Sequence, residues 1–281
     1  MNIIQSILMG IVQGLSEFLP VSSSAHLVFT SSLYKYFTGA INTMQSNEEI
    51  FFDIMLHLGT LVAVLIFFRK EVSDIAKALI NSLKTRDFSD KDAKLGLYII
   101  LGTFFTILVA FPLKDVAEKL VYSPAITGCL LVGTGFVLFL SEYVSKRYKA
   151  KTDKVSLKSA ILIGIAQGIA AFPGFSRSGW TMATGLLSGL DRVTCAKYSF
   201  LLSIPIILGT SMVYPLLEIN VKEAMTYNWT AIVIGTVISG IVGYFCIKYF
   251  LRFVAKFSLA FFGYYCVILG SAMAIFFGAI T

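Results

Sequence analysis

The sequence predicts an all-α protein that crosses a membrane several times. Only 14% of its 281 residues are charged, whereas a soluble domain usually carries about 25%. The mean hydropathy is +0.80, and several apolar runs approach the roughly 20 residues that a helix needs to span a bilayer. The sequence lacks the alternating strands of a transmembrane barrel. These observations favour a polytopic helical membrane protein.

Ten helical segments are predicted, and six of them are long enough to cross the membrane. The other four are short and form two pairs, each separated by a polar turn. We interpret each pair as a re-entrant hairpin, because irregular backbone at membrane depth is tolerated where it lines a cavity in the protein. Residues 69–94 are polar and are expected to form an amphipathic connection. The predicted segments are Ile3–Ser16, Ser24–Phe37, Phe51–Phe68, Ala93–Pro112, Pro124–Val144, Ser156–Ala171, Gly179–Leu190, Val193–Leu216, Trp229–Phe250 and Phe257–Ala279.

The second half of the chain repeats the first. Residues 7–18, ILMGIVQGLSEF, align without gaps with residues 161–172, ILIGIAQGIAAF. Each half, about 1–145 and 156–281, has one hairpin and three spanning helices. Three crossings leave the chain on the opposite side, so the second half must begin on the other face of the membrane. The sequence therefore predicts a single integral membrane domain, residues 1–281, built as an inverted-topology repeat of two five-helix halves whose hairpins meet near the midplane.

The formal net charge of +7 reflects membrane orientation rather than binding to nucleic acid. Of 23 Lys and Arg residues, 18 lie in four connecting segments that the predicted topology puts on one face. Because cytoplasmic loops carry an excess of basic residues, that face is expected to be cytoplasmic. Both termini would then lie outside, the first hairpin would enter from outside, and the second would enter from the cytoplasm. The four segments are residues 69–94, 146–158, 191–197 and 248–256.

The first hairpin concentrates reactive side chains in the stretch QGLSEFLPVSSSAH, from Gln13 to His26. Glu17 lies one helical turn after Gln13, so the two side chains share a face. The carboxylate could activate a nucleophile, hold a divalent ion, or form a structural ion pair with Arg177. Three consecutive serines, residues 22–24, could cap the next helix, but one cap needs only one serine. With His26 close by, we predict a hydroxyl nucleophile with an acid–base partner.

The second hairpin carries an arginine within the stretch PGFSRSGWT. A charged side chain at membrane depth is costly unless it pairs with a carboxylate or binds an anion. Arg177 is accompanied by glycines, by hydroxyls and by the free amides at the start of a helix, and this combination suits phosphate. A structural pair with Glu17, bracing the two hairpins, is compatible with phosphate binding. The predicted anion-binding residues around Arg177 are Gly174, Ser176, Ser178 and Thr181.

Asp53 and His57 are spaced i, i+4 on one face of the third segment. They could support the hairpins, but a hydrogen bond along the helix is an equally good interpretation, so the predicted site does not include them. Other phosphatase signatures are missing from the sequence. There is no C-x5-R motif and no aspartate-rich metal motif, and Ala183 stands where a lipid phosphatase would have a histidine after its S-R pair.

The two hairpin stretches resemble the signature motifs of the bacterial undecaprenyl-diphosphatase family, also called bacitracin-resistance proteins. The runs FDIMLHLGT and SFLLSIP are also similar, and the resemblance covers essentially the whole chain. It implies an enzyme of the bacterial cytoplasmic membrane that converts undecaprenyl diphosphate, a C55 isoprenyl lipid, to the monophosphate. This reaction recycles the lipid carrier of peptidoglycan synthesis. The resemblance further implies an interdigitated inverted-repeat fold with a site open to the outer side of the membrane.

The resemblance also implies roles for individual residues. It implies a divalent cation, Mg or Ca, for which Glu17 is the best candidate ligand. The first motif position is Glu or Gln in the family and is Gln13 here, so only one carboxylate is available at that spacing. The predicted catalytic residues are Glu17, Ser23, His26 and Arg177, and the predicted substrate-binding residues are Gln13, Ser22, Ser24, Gly174, Ser176, Ser178 and Thr181.

Two mechanisms and one rival function stay open at this point. Either Ser23 attacks the terminal phosphorus while Glu17 or His26 takes its proton, or His26 is itself the nucleophile. In both, Arg177 offsets charge on the phosphate oxygens and the prenyl tail lies between helices, facing membrane lipid. The rival is a transporter or flippase of a phosphorylated lipid or anion, since inverted repeats with broken helices are typical of transporters. The divergence of the two hairpins favours the enzyme, because only the first carries the Glu, Ser and His set.

Overall fold

The protein is all-α in the part of the chain that the structure describes. The computed structural model describes residues 2–39, 46–120, 123–147, 151–218 and 221–280. Within those ranges the only β-type contact is an isolated bridge between Thr152 and Leu190. Part of the predicted basic loop, residues 148–150, lies outside the described residues.

The helices follow the predicted order with small shifts at their ends. They are α1 (Ile3–Ser16), α2 (Ser23–Phe37), α3 (Asn47–Phe67), α4 (Arg69–Thr85), α5 (Lys91–Ala110), α6 (Lys114–Leu120), α7 (Pro124–Ser145), α8 (Leu157–Ile169), α9 (Arg177–Leu187), α10 (Arg192–Glu218), α11 (Val221–Ala224), α12 (Trp229–Val254) and α13 (Ala260–Ile280). A 3₁₀ turn, Phe111–Leu113, joins α5 to α6.

Six of these helices are long and apolar enough to cross a membrane, and they coincide with the six predicted spanning segments. The prediction of a helical protein with six such helices is therefore confirmed. Their spans by length and composition are Asn47–Phe67, Lys91–Ala117, Pro124–Ser145, Arg192–Val213, Trp229–Val254 and Ala260–Ala279.

The two predicted helical pairs exist, and each contains a tight turn. In the first, α1 ends at Ser16 and α2 starts at Ser23, and Ser22 between them has φ = +67°. In the second, α8 ends at Ile169 and α9 starts at Arg177. The helices of each pair pack against each other. The predicted start of the second helix of this pair, Gly179, was wrong, because Ser176 caps α9 and makes Arg177 its first residue.

The predicted amphipathic connection contains a regular helix, α4. Its apolar side packs on α5, where Ile75 and Leu79 cover Gly96. The opposite side carries exposed cationic side chains such as Lys77. An apolar stripe on one face and charges on the other explain why this segment is helical without being apolar enough to span a membrane.

The short helices of each half pack against the other half. An added Cβ on Gly10 of α1 would lie 2.6 Å from the carbonyl oxygen of Gly235 on α12. Gly164, the repeat equivalent of Gly10, meets the backbone of Gly102 on α5 in the same way. Because no side chain intervenes, the helices approach closely, as small residues allow in membrane proteins. The two halves are therefore interlocked rather than side by side.

The last helices of the two halves pack against each other in opposite directions. Gly128, near the start of α7, lies against Gly270 of α13, and Gly135 one heptad later lies against Gly263. Residue numbers therefore increase along α7 in the direction in which they decrease along α13, so the two helices are antiparallel.

A buried ion pair ties together the ends of three elements away from the short turns. Arg192, at the start of α10, donates from Nε to Glu142 Oε1 over 2.8 Å and from Nη2 to Glu142 Oε2 over 2.6 Å. The backbone N–H of Leu259, before α13, donates to Oε1 of the same carboxylate over 2.8 Å. Glu142 therefore joins α7, α10 and the connection between α12 and α13.

Candidate active site

The two hairpins meet at an ion pair between Glu17 and Arg177. Nη2 of Arg177, the first residue of α9, donates to Oε1 of Glu17 over 2.5 Å, although 160 residues separate them in sequence. Only 5% of Glu17 is exposed, so the carboxylate is buried beside the guanidinium. A buried charge needs such a partner. The pairing proposed from the sequence is present.

The second carboxylate oxygen of Glu17, Oε2, accepts hydrogen bonds from two side chains of the first hairpin. Oε2 accepts from Ser23 Oγ over 2.6 Å and from Gln13 Nε2 over 2.9 Å. The Gln13 contact follows from its position one turn earlier on the same face of α1. The Ser23 hydroxyl, in contrast, is delivered by the turn that follows. Its short bond to a carboxylate is the arrangement in which a general base takes a proton from a nucleophile.

The three consecutive serines have three different roles. Ser22 is the N-cap of α2, since its Oγ accepts from the backbone N–H of Ala25 over 3.2 Å. The hydroxyls of Ser22 and Ser24 lie 3.1 Å apart. Ser22 Oγ also lies 3.4 Å from the carbonyl oxygen of Phe175 in the second hairpin. With Ser22 as the cap, Ser23 becomes the first residue of the helix and directs its hydroxyl to Glu17.

Both ring nitrogens of His26 contact partners other than Ser23. Its Nδ1 lies 2.8 Å from the carbonyl oxygen of Ser22, and its Nε2 lies 2.8 Å from the hydroxyl of Tyr265. A carbonyl can only accept, so Nδ1 carries the hydrogen and, in the neutral ring, Nε2 accepts from Tyr265. The two rings are parallel within 3° at a centroid distance of 5.7 Å. This arrangement favours Glu17 over His26 as the proton acceptor for Ser23.

The turn of the second hairpin is fixed by hydroxyls from its own sequence and from α7. Ser176 Oγ accepts from the backbone N–H of Gly179 over 3.1 Å and so caps α9. The backbone N–H of Ser176 donates to Thr134 Oγ1 over 3.1 Å, and Thr134 Oγ1 also lies 3.4 Å from the carbonyl oxygen of Gly174. Gly174 has φ = +103°, which favours glycine there. Thr134 was not among the predicted site residues, because the sequence around it is apolar and contains no polar motif.

Two of the predicted anion-binding hydroxyls make bonds within the protein. Ser178 Oγ donates to the carbonyl oxygen of Leu19 over 2.8 Å, which links the two hairpins directly. Thr181 Oγ1 donates to the carbonyl oxygen of Arg177 over 2.8 Å and lies 2.6 Å from Ser199 Oγ on α10. Both hydroxyls therefore stabilise the turn of the second hairpin.

The second terminal nitrogen of the Arg177 guanidinium, Nη1, is placed to bind an anion. Nη1 is buried and has no hydrogen-bond partner among the described residues, whereas Nη2 is committed to Glu17. A buried donor without an acceptor is unfavourable, and a phosphate oxygen would satisfy it. This nitrogen lies at the N-terminus of α9, where helix dipole and backbone amides also favour an anion.

His57 belongs to this cluster, although the predicted site left it out. Its Nε2 lies 3.6 Å from Oε2 of Glu17, and its Nδ1 lies 2.8 Å from the carbonyl oxygen of Asp53. The i, i+4 bond along the helix is therefore real, but it uses the backbone of Asp53. The spacing of Asp53 and His57 was the available signal; only the packing of α3 reveals that the ring faces the first hairpin.

The described residues bear on the expected divalent cation, for which Glu17 is the candidate ligand. They contain no group of three or more His, Cys, Asp or Glu side chains placed to hold a metal ion. Glu17, the predicted ligand, already accepts from Arg177, Ser23 and Gln13. The Arg177 guanidinium, 2.5 Å from Oε1, already balances the charge of this carboxylate.

An apolar cavity of about 890 Å³ adjoins the first hairpin. Its walls come from α1, the turn after α1, α12 and α13, and its lining includes His26 and Tyr265. The remaining lining side chains are almost all apolar, and aromatic residues of α12 and α13 such as Phe245 and Phe262 are prominent. A hydrocarbon chain would be compatible with this environment.

Comparison with known proteins places the chain in a family. The model of the bacitracin resistance protein BacA family matches residues 6–272. The chain is 40% identical to the undecaprenyl-diphosphatase of Methanobrevibacter smithii, over 100% of this chain and 99% of that protein. It is 39% identical to undecaprenyl-diphosphatase 2 of Stutzerimonas stutzeri over the full length of both, and 38% identical to the undecaprenyl-diphosphatase of Halothermothrix orenii over 99% of each. A full-length family match and full-length relatives above 30% identity, together with the paired hairpins, lead to one conclusion: this multi-pass membrane protein belongs to the bacitracin resistance protein BacA family.

Proposed function

We propose that this protein is an undecaprenyl-diphosphatase, which hydrolyses undecaprenyl diphosphate to the monophosphate and phosphate. The observation that carries the proposal is the chain of contacts from Ser23 Oγ through Glu17 to Arg177. It brings a nucleophile, a base and an anion-binding group from the two hairpins into one buried cluster. Family membership and the names of the full-length relatives support the same reaction.

In the first step, Glu17 takes the proton of the Ser23 hydroxyl as its oxygen attacks the terminal phosphorus. The bond from that phosphorus to the bridging oxygen breaks, and undecaprenyl monophosphate leaves with the bonding electrons. In the second step, water attacks the phosphorus of the phosphoserine, and the bond from phosphorus to Ser23 Oγ breaks. Glu17 returns its proton to Ser23 Oγ, which restores the hydroxyl, and the protons of the water leave with the phosphate. Arg177 Nη1 and the amides at the start of α9 stabilise the equatorial oxygens, where charge develops.

The alternative in which His26 is the nucleophile requires Nε2 to be released from Tyr265, since that hydroxyl lies 2.8 Å away on the same nitrogen. We therefore assign His26 a place beside the substrate, in the wall of the cavity, rather than the attack on phosphorus. The prenyl chain would lie in the cavity between α1, α12 and α13, with the diphosphate directed toward Glu17 and Arg177.

We further propose that the two halves form an inverted repeat and that each hairpin is re-entrant. The antiparallel packing of the equivalent helices α7 and α13 and the exchanged glycine contacts at Gly10 and Gly164 support this architecture. The distribution of basic residues supports a cytoplasmic location for the connection of residues 69–94. The termini and the active site would then face the outer side of the cytoplasmic membrane.

A divalent cation, which the family resemblance implies, would be brought by the diphosphate of the substrate rather than held by this chain. The pairing of Glu17 with Arg177 supports this assignment, and the described residues include no group of three or more His, Cys, Asp or Glu side chains placed to hold a metal ion.

A second candidate function is transport of a phosphorylated lipid. The interlocked halves favour it, because broken helices meeting inside a duplicated fold are typical of transporters. The unequal hairpins argue for hydrolysis, since Glu17 and Ser23 have Ala171 and Arg177 as their repeat equivalents.

The test is phosphate release from undecaprenyl diphosphate by the purified protein in detergent. Ser23→Ala is expected to lower kcat at least about 1,000-fold, because it removes the nucleophile. Arg177→Ala is expected to lower kcat/KM about 100-fold or more, because it removes an electrostatic donor. Thr103→Ala is the matched control: its hydroxyl bonds only along its own helix, to the carbonyl of Ile99. No phosphate release by the wild type, or full activity of the Ser23 and Arg177 variants, would contradict the proposal.

A further inference from the structure

We infer that His57 is a positioning residue for Glu17, fixing the oxygen that receives the Ser23 proton. The inference rests on the proposed function, since it concerns the geometry of the base in that reaction. It adds α3 to the two hairpins as a third element of the active site, and it gives a role to a side chain that the hairpin motifs do not include.

The first observation is the orientation of the imidazole. Its Nδ1 lies 2.8 Å from the carbonyl oxygen of Asp53, one turn earlier on α3. Because a carbonyl can only accept, Nδ1 carries the hydrogen, and this bond fixes the ring relative to the helix axis. The opposite nitrogen, Nε2, is consequently held in a constant direction, 3.6 Å from Oε2 of Glu17.

The helix that carries the ring is itself fixed. An added Cβ on Gly240 of α12 would lie 3.0 Å from the carbonyl oxygen of Gly59, two residues after His57. Thr60 Oγ1 donates to the carbonyl oxygen of His57 over 2.8 Å, and Leu56 is fully buried. The backbone at His57 therefore has little freedom to move the ring away from the first hairpin.

The second observation is that the two oxygens of Glu17 are secured differently. Arg177 holds Oε1 from the second hairpin, whereas Oε2 carries the contact with the nucleophile Ser23. A carboxylate anchored at one oxygen can still rotate about its last bond, and rotation would move Oε2 away from the serine. Gln13 and His57 approach Oε2 from α1 and α3, and together they limit that rotation.

The separation of 3.6 Å is too long for a direct hydrogen bond. It fits an ion contact between the carboxylate and an imidazolium that carries a hydrogen on each nitrogen, and such a contact would hold Oε2 in place. The position of the catalytic base strongly affects the rate, because a displacement of about 1 Å can lower it about 100-fold. The role of His57 is thus expected to appear in kcat rather than in substrate binding.

The experiment compares three substitutions at His57 with one at its neighbour. His57→Leu removes the polar edge, His57→Gln keeps an amide of similar reach, and His57→Asn keeps polarity with a shorter reach. Leu58→Ala is the control, because Leu58 is also half-buried on α3 and adjoins His57 in sequence. Each variant is purified in detergent, and phosphate release from undecaprenyl diphosphate gives kcat and KM separately.

We expect His57→Leu and His57→Asn to lower kcat about tenfold or more with KM nearly unchanged. His57→Gln should recover most of the loss, and Leu58→Ala should stay within about twofold of the wild type. A purely structural role would instead follow the loss of stability and would not be rescued by Gln. Full activity of both His57→Leu and His57→Asn would overturn the inference; if the Leu variant does not fold, His57→Asn alone decides.

A second measurement does not depend on turnover. The infrared band of the Glu17 carboxylate, identified by its loss in Glu17→Gln, should shift in His57→Leu or His57→Asn and remain unchanged in Leu58→Ala. An unmoved band in both His57 variants would overturn the inference. If the wild type released no phosphate, the proposed function would fail and the band alone would decide the role of His57.

Discussion

The hydroxyl of Tyr265 lies 2.8 Å from Nε2 of His26, and the two rings are parallel within 3°. Tyr265 is on α13, at the far end of the chain, and both residues line the apolar cavity beside the first hairpin. His26 is thus paired with Tyr265, whereas the Ser23 hydroxyl bonds to Glu17.

The first prediction follows from this pairing. Tyr265→Phe removes only the hydroxyl and leaves the ring stack and the cavity lining in place. If Glu17 is the base and Ser23 the nucleophile, kcat should stay within about twofold of the wild type. Phosphate-release kinetics would check this. A change of more than about tenfold, in either direction, would show that the Tyr265 bond controls a catalytic His26 and would favour the histidine mechanism.

The second prediction concerns the glycine contacts between the halves. A Cβ on Gly10 would lie 2.6 Å from the backbone of α12, so Gly10→Ala should force α1 and α12 apart and destabilise the protein by about 1–3 kcal/mol. Thermal unfolding in detergent measures the effect. Gly209→Ala on α10 is the control, because a Cβ there meets nothing within 4 Å. Equal unfolding temperatures for the two variants would contradict the close approach.

The third prediction concerns the ion pair at the opposite side of the fold. Glu142→Ala leaves Arg192 without a partner and the N–H of Leu259 without an acceptor, so we expect a loss of about 3 kcal/mol. Glu71→Ala on the exposed face of α4 is the control and should change stability by less than about 0.5 kcal/mol. A similar thermal stability for both variants would show that the buried pair is not a structural tie.

The fourth prediction concerns divalent cations. Equilibrium dialysis of the substrate-free protein should show no stoichiometric binding of Mg²⁺ or Ca²⁺, because Glu17 is paired with Arg177 and the described residues include no group of three or more potential metal-binding side chains. Gln13→Glu would add a second carboxylate one turn away on the same face and should create measurable binding. One equivalent of cation bound to the wild type, and lost in Glu17→Gln, would contradict this prediction.

The fifth prediction concerns orientation in the membrane. In a background with Cys129→Ser, which removes the exposed native thiol, an impermeant reagent should label Lys119→Cys from outside intact cells. Lys154→Cys should be labelled only after permeabilisation, since it follows the basic segment expected on the cytoplasmic face. The reverse pattern would overturn the proposed topology and the outward-facing site.

Much of the fold could be predicted because its signals are local. Apolar runs of spanning length mark six helices, and the confirmed bounds differ from the predicted ones by only a few residues. The start of α9 was misplaced, because the cap formed by Ser176 depends on backbone geometry that apolar periodicity does not report. The two turns were also visible, since polar residues at Gln13–His26 and around Arg177 interrupt apolar sequence.

The sequence by itself determined the helices and showed the similarity of the two halves, because both depend on residue order and hydrophobicity. It also predicted a set of reactive side chains. Only the tertiary structure decided how those side chains pair. It brought Arg177 to Glu17 across 160 residues, directed Ser23 rather than Ser22 or Ser24 to the carboxylate, gave His26 to Tyr265, and turned His57 toward the first hairpin. These contacts depend on which helix faces pack together, here through backbone approaches at glycines. Packing between distant segments leaves no periodic trace in the sequence of either one.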